Sequence, residues 1–191
     1  MRTGLFLAAA ALTCIAASGS QGAVTVLGGG LAESCSKAAR IASRSSVADD
    51  NAIHICGLAI ASEPLSGRDL AGTYVNRGIL YMARAAYHSA RNDFDSALYL
   101  MPMMGEGYVN RGAALVAEHR FAEALADIDK GLALNPEEPE KAYFDRGLAH
   151  EYMDDLKSAY LDYLRASELK PDWEAPKNEL ARFTLSRPGQ P

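Results

Sequence analysis

Positive charge is scarce in this chain. Nineteen Lys and Arg against 24 Asp and Glu leave a net charge of -5, and nucleic-acid binding, which is driven by clustered cations, is not expected. The same shortage leaves no basic amphipathic face for docking on a membrane surface. Histidine occurs four times, as His54, His88, His119 and His150, with no two at metal-ligand spacing. There is no Gly-x-Ser-x-Gly elbow, and no cysteine stands in a catalytic context. Gly28-Gly29-Gly30 is not followed by Lys-Ser or Lys-Thr, so it reads as a spacer and not as a phosphate loop. Asp49-Asp50, Glu137-Glu138 and Asp154-Asp155 fall where turns or helix starts are expected, as solvated caps and not as acid and base pairs. No catalytic residue, cofactor or metal site is expected.

Long apolar runs are also lacking, with one exception. Arg2 is followed by Leu5 to Ala17, an Ala-rich stretch too short to span a bilayer comfortably, and then by small residues. Residues 1–22 read as a secretory signal peptide, with cleavage after Gly19 or Gly22 satisfying the small-x-small rule. An uncleaved anchor is the alternative, and Ala11-Leu12-Thr13 before Cys14 does not match a lipoprotein signal. Losing Arg2 takes the charge to -6. About 170 residues remain, a single-domain length, with no membrane span in the mature form. Residues 23–32 are expected as a flexible Gly-rich linker.

What the rest of the chain has is repetition. Tyr74-Val75-Asn76-Arg77-Gly78, Tyr108-Val109-Asn110-Arg111-Gly112 and Tyr143-Phe144-Asp145-Arg146-Gly147 superpose, with their glycines 34 and then 35 residues apart. Pro102, Pro136 and Pro171 keep the same step and close each unit. Self-similarity at this period indicates stacked units, none of which buries its apolar face alone. Small residues (Gly78, Ala90, Ala97; Gly112, Ala124, Gly131; Gly147, Ala159, Ala166) let paired helices approach, while Tyr74, Phe94, Tyr108, Ile128, Tyr143 and Tyr163 fill the space between.

The pattern resembles the tetratricopeptide repeat, with an aromatic at position 4, small residues at 8, 20 and 27, a bulky group at 24 and Pro at 32. A fainter copy lies upstream, where Ala52, Cys56, Ala59 and Pro64 match positions 20, 24, 27 and 32, with a first helix from about Leu31 to Arg44. The resemblance implies an all-α, right-handed solenoid. About four units are expected, at 33–66, 71–104, 105–139 and 140–173, within a domain spanning 33–187. An amphipathic helix over 174–185 would cap the open end, and 188–191 would be a frayed tail.

Two further pairings are drawn from position. Arg77, Arg111 and Arg146 stand at position 7, each followed sixteen residues later by Asp93, Asp127 and Asp162, which suggests a ladder of structural ion pairs. Cys35 and Cys56 fall at positions 3 and 24 of the faint unit, where a disulfide or two reduced core cysteines are both open.

Function in this family resides mainly in the concave groove lined by the first helices. Its positions here read Gly72, Val75, Ile79 and Met82, then Glu106, Val109, Ala113 and Val116, then Lys141, Phe144, Leu148 and Glu151. Of the Lys, Asn and Arg residues with which family members clamp a peptide carboxylate, only Asn110 and Lys141 fit; Val75, Ile79 and Asp145 replace the others. The inner surface is apolar, which points to a groove for an apolar or amphipathic segment of a protein partner, with Val75, Ile79, Met82, Val109, Val116, Lys141, Phe144 and Leu148 as its lining. The groove filled by the capping helix, or by a second copy in a homodimer, is the competing reading. Leu100-Met101-Pro102-Met103-Met104 is a second contact patch or simply packing. The resemblance is to exported bacterial proteins, and the expected role is a non-enzymatic adaptor in the periplasm of a Gram-negative bacterium. A permanent subunit of an envelope or secretion assembly, or an enzyme or enzyme regulator, are the alternatives.

Overall fold

The computed structural model describes residues 22–25 and 30–183. The signal segment up to residue 21 and the tail at 188–191 lie outside these residues. Among the described residues there are nine helices and no strand: α1 (Leu31–Ser45), α2 (Asp50–Ser62), α3 (Gly67–Ala83), α4 (Tyr87–Leu100), α5 (Gly105–Ala117), α6 (Phe121–Ala133), α7 (Pro139–Tyr152), α8 (Leu156–Leu169) and α9 (Glu174–Leu180). Helices pack as successive pairs, α1 with α2 through α7 with α8, and each pair stacks on the next; α9 packs on α8. The chain is therefore a helical solenoid of four helix-turn-helix units with a terminal helix, and no helix is long and apolar enough to cross a membrane among the described residues.

The repeat glycines do what their spacing implies. A Cβ at Gly78 would strike the Phe94 ring, at Gly112 it would lie 2.5 Å from Ile128 Cγ1, and at Gly147 2.7 Å from the Tyr163 ring. The first and second helices of each unit are thus as close as the side chain at position 24 allows. The turn between them repeats as well: Ala85, His119 and Asp154, all at position 15, adopt a left-handed backbone with φ of 54°, 60° and 63°. That conformation costs a non-glycine residue about 1 kcal/mol, which the packing on either side offsets.

All three acidic pairs stand at helix starts, but only two of them cap, since Glu138 makes no side-chain cap bond and accepts from Lys141 instead. The Asp49 carboxylate accepts from the Asn51 N–H, and Asp155 accepts from the Ser158 N–H. Glu138 precedes Pro139 at the start of α7, where a missing N–H is harmless. The faint first unit is tied down more heavily than the others. Glu63, at the end of α2, accepts from the Leu31 and Ala32 N–H groups at 2.6 and 2.9 Å and so caps α1. Cys35 and Cys56 are fully buried and disulfide-bonded. A bridge closing a loop of this length contributes about 3 kcal/mol, in the unit whose other core residues are mostly alanines.

Two boundaries differ from the sequence reading. The terminal helix ends at Leu180 and not at residue 185, because the chain turns there to bring Phe183 against the Tyr160 and Tyr163 rings, at centroid distances of 5.7 and 6.1 Å. The expected linker over 23–32 is not one element: Leu31 and Ala32 belong to α1, and Ala23, Val24 and Thr25 lie against the solenoid.

Candidate peptide-binding groove

The Arg-Asp pairs form as the spacing suggests, each within its own unit. Arg77 donates to Asp93 through Nε and Nη2 at 2.8 and 2.7 Å, Arg111 to Asp127 at 2.6 and 2.8 Å, and Arg146 to Asp162 at 2.9 and 2.7 Å. The brace also runs between units, through Asp95 and Asp129 at position 25 and not through the position-23 Asp residues paired by spacing. Arg111 Nη1 reaches back to Asp95 on α4, and Arg146 Nη1 to Asp129 on α6, both at 2.6 Å. Gly57 occupies the matching position in the first unit, so Arg77 has no such third carboxylate there. The position-4 tyrosines complete the motif, with Tyr74, Tyr108 and Tyr143 under the guanidinium groups at 5.6, 5.4 and 5.2 Å. Hydrogen bonding to the carboxylates holds all three Arg above their ordinary range, whereas burial pushes Asp93 up against the pull of Arg77. These charges face one another, not the groove.

The expected apolar lining is placed differently. Val75, Ile79, Met82, Val109, Val116, Phe144 and Leu148 are all buried. They sit in the clusters that join one unit to the next, and Phe144 packs against Trp173 and Tyr163 at 4.9 and 5.6 Å. Lys141 is buried too and donates to Glu138 at 2.8 Å. An exposed apolar trough is therefore absent among these residues: periodicity marks them as inward-facing but cannot show that neighbouring helices cover them.

Instead, the inner face carries a polar row. Asn76, Asn110 and Asp145 share repeat position 6, next to the Arg of each motif, and are buried on α3, α5 and α7. Lying across this row is the chain's own segment 22–25. The Val24 N–H donates to Asn76 Oδ1 at 2.9 Å, and Asn76 Nδ2 donates to the Val24 carbonyl at 2.8 Å. Ser36 Oγ on α1 donates to the same carbonyl at 3.1 Å, and Asn110 Nδ2 donates to the Gly22 carbonyl at 3.1 Å. Each contact is to main chain. Asn76 pairs with Val24 through both its amide atoms, as a neighbouring β-strand would, and Asn110 meets the residue two positions away, on the same side of an extended chain.

Side chains play a smaller part. Ala23 and Val24 pack on the cluster formed by α1, α3, α4 and α5, while a Cβ at Gly22 would lie 3.3 Å from Glu138 Oε2, so glycine fits there without moving that carboxylate. Cavities of about 590 and 380 Å³ flank the segment. The first is edged by charged groups, among them Arg40, Glu138, Lys141 and Lys170; the second by Met101, Met103 and Met104, the methionine patch noted in the sequence. Among the described residues no group of three or more His, Cys, Asp or Glu is placed to hold a metal.

Solved structures share the helical fold. Neither a family model nor a curated protein matches the sequence. The Arabidopsis OM64 TPR domain matches at 25 % identity with a TM-score of 0.57, covering 61 % of this chain and 96 % of that one. The first TPR domain of human RPAP3 matches at 29 % identity and a TM-score of 0.55, covering 59 % and 87 %. The fold is that of the tetratricopeptide repeat. A third structure, the MamA RS-1 ArsTM double mutant, shares the fold at 21 % identity and a TM-score of 0.58 over 80 % of this chain and 82 % of its own. As a TPR solenoid the chain is a protein–protein interaction module in general type, and TPR-fold proteins of this kind are generally not enzymes.

Of the residues that hold segment 22–25, Asn110 was legible as a remnant of the family's clamp, but Asn76 and Ser36 were not. The signal for Asn76 was present: a polar Asn or Asp recurring one residue before each Arg, on a face that is otherwise apolar.

Proposed function

We propose that this protein is a non-enzymatic adaptor that binds an extended segment of a partner protein across Asn76 and Asn110. The observation that carries this reading is the bidentate pairing of Asn76 with Val24, together with the Asn110 bond to Gly22. A buried primary amide that offers one donor and one acceptor to a single residue recognises backbone, which every extended peptide has. The partner is accordingly an extended segment held by its main chain, in place of the apolar or amphipathic segment that the inward-facing apolar residues suggested.

The N-terminal sequence supports export to a bacterial envelope, with the periplasm as the working compartment, and the Cys35–Cys56 pair suits an oxidising one. Signal cleavage after Gly19 would leave both Gly22 and Val24 in the mature chain, whereas cleavage after Gly22 would remove the carbonyl that Asn110 binds.

Crosslinking in the native cells tests this. A photoreactive residue at Met103, exposed on the rim of the cavity beside segment 22–25, is expected to trap a partner through an extended peptide, and the product is expected to vanish in an Asn76→Ala, Asn110→Ala variant that keeps its helix content. The same product at the same yield in that variant would place binding elsewhere.

A further inference from the structure

The groove of this protein is occupied by the protein itself, and the occupancy is incomplete. Segment 22–25 satisfies both amide atoms of Asn76 but only one of Asn110: Asn110 Oδ1 is buried and has no hydrogen-bond partner. A buried acceptor left unpaired carries its full desolvation cost. An extended segment that also delivers an N–H to that atom would make every bond the resident segment makes, and one more.

We propose that residues 22–25 are a built-in competitor, which holds the groove closed to weak ligands and is displaced by an extended partner segment that pairs with Asn110 through both its amide atoms. This rests on the reading of the groove as a peptide site given above. Three observations support the competitive relation. The bonds made to the segment are to its main chain, so a foreign backbone can replace them one for one. Only residues 26–29 separate the segment from Gly30 and α1, and a short tether gives a local concentration in the millimolar range. The space on either side remains open, with cavities of about 590 and 380 Å³ bordering Ala23 and Thr25, so the groove is wider than the strand now in it.

The commitment is to a partner strand with a small residue where Gly22 now sits. Glu138 limits that position, since a Cβ there would come within 3.3 Å of its Oε2. A segment of the same composition as the resident one, supplied in trans, is thus the simplest probe. Tethering makes the unaltered protein a poor receptor for it, and release of the tethered copy makes it a good one.

The experiment uses the chain from Ser20 onward, as left by cleavage after Gly19, and a fluorescent synthetic peptide with the sequence of residues 20–27. Val24→Pro removes the N–H that Asn76 accepts, and Val24→Asp places a charge against the apolar cluster; either expels the resident segment without touching a helix. Far-UV circular dichroism confirms that helix content is kept. Peptide affinity by fluorescence anisotropy is expected to rise roughly 10-fold or more in both variants relative to the unaltered chain, and adding Asn76→Ala to Val24→Pro is expected to abolish the gain. Equal affinity in the unaltered chain and both variants would overturn the competitor and leave the peptide groove standing. No binding to any of the three would overturn the groove reading itself.

Discussion

Arg77→Ala is expected to destabilise the fold by about 3 kcal/mol, because it strands the Asp93 carboxylate, whose side chain is 7 % exposed. For a domain of this size that is a fall in melting temperature of roughly 6 to 12 °C. Arg77 is the most informative of the three because among the described residues no second side-chain partner of Asp93 is seen, while Asp162 keeps His150 Nε2 at 3.8 Å when Arg146 is removed. Replacing both partners, Arg77→Leu with Asp93→Leu, is expected to recover most of the loss, since no unpaired charge remains buried. The pH dependence carries a definite sign. Burial already pushes Asp93 up, and without Arg77 nothing opposes it, so the folded state of the variant binds a proton more readily than the unfolded state. The deficit is then full at neutral pH, above the raised folded value, and shrinks as pH falls toward the unfolded carboxylate range near 4. Thermal melts of the variant at pH 7 and pH 4.5 read this directly. A deficit that grew on acidification would mean that Asp93 is held ionised by something other than Arg77.

Gly131→Ala is the second large effect. A Cβ at this position would lie 2.6 Å from Val109 Cγ2 and 3.0 Å from both the Gly105 carbonyl oxygen and the Val109 nitrogen. Two of these three atoms are backbone of α5 and have no rotamer to change, so α5 and α6 must separate. Overpacking of this kind costs about 1–3 kcal/mol and occasionally more, and the better helix propensity of Ala returns about 1 kcal/mol of it. We expect a net loss of about 1–2 kcal/mol, read as a shift in the urea midpoint with an unchanged slope. Gly67→Ala is the control, because nothing lies within 4 Å of a Cβ there. At the first position of α3 it is expected to keep stability or raise it slightly, through helix propensity alone.

These two sites show why some of this protein was readable from its sequence and some was not. The Tyr-x-Asn/Asp-Arg-Gly motif, the prolines and the sixteen-residue Arg-to-Asp spacing are local regularities, and the packing they encode repeats with them: Gly78 under Phe94, Gly112 under Ile128, Gly147 under Tyr163. The Cys35–Cys56 bridge was one of two open readings, and the structure joins them. The inter-unit bonds from Arg111 to Asp95 and from Arg146 to Asp129 were missed, because they depend on how one unit turns against the next and not on spacing inside a unit. The groove was misjudged for a similar reason. Val75, Ile79, Val109, Phe144 and Leu148 do point inward, but inward here means under a neighbouring helix, and helical period alone does not separate a groove floor from a buried seam. The polar row at position 6 was in plain view within the repeated motif. Its use depended on a segment 52 residues from Asn76 in sequence and 88 from Asn110, in a stretch whose glycines suggested only a spacer.

The central claim is that the amides of Asn76 and Asn110 hold the backbone of an extended segment, with the chain's own residues 22–25 in place. Amide hydrogen exchange on the chain from Ser20 onward, resolved residue by residue by NMR, tests it most directly. The Val24 N–H, bonded to Asn76 Oδ1 at 2.9 Å, is expected to exchange at least 10-fold more slowly than that of Thr25, for which no such bond to the groove is seen, and to lose that protection in Asn76→Ala while the helices keep theirs. Equal, fast exchange at Val24 and Thr25 in the unaltered protein would contradict the account.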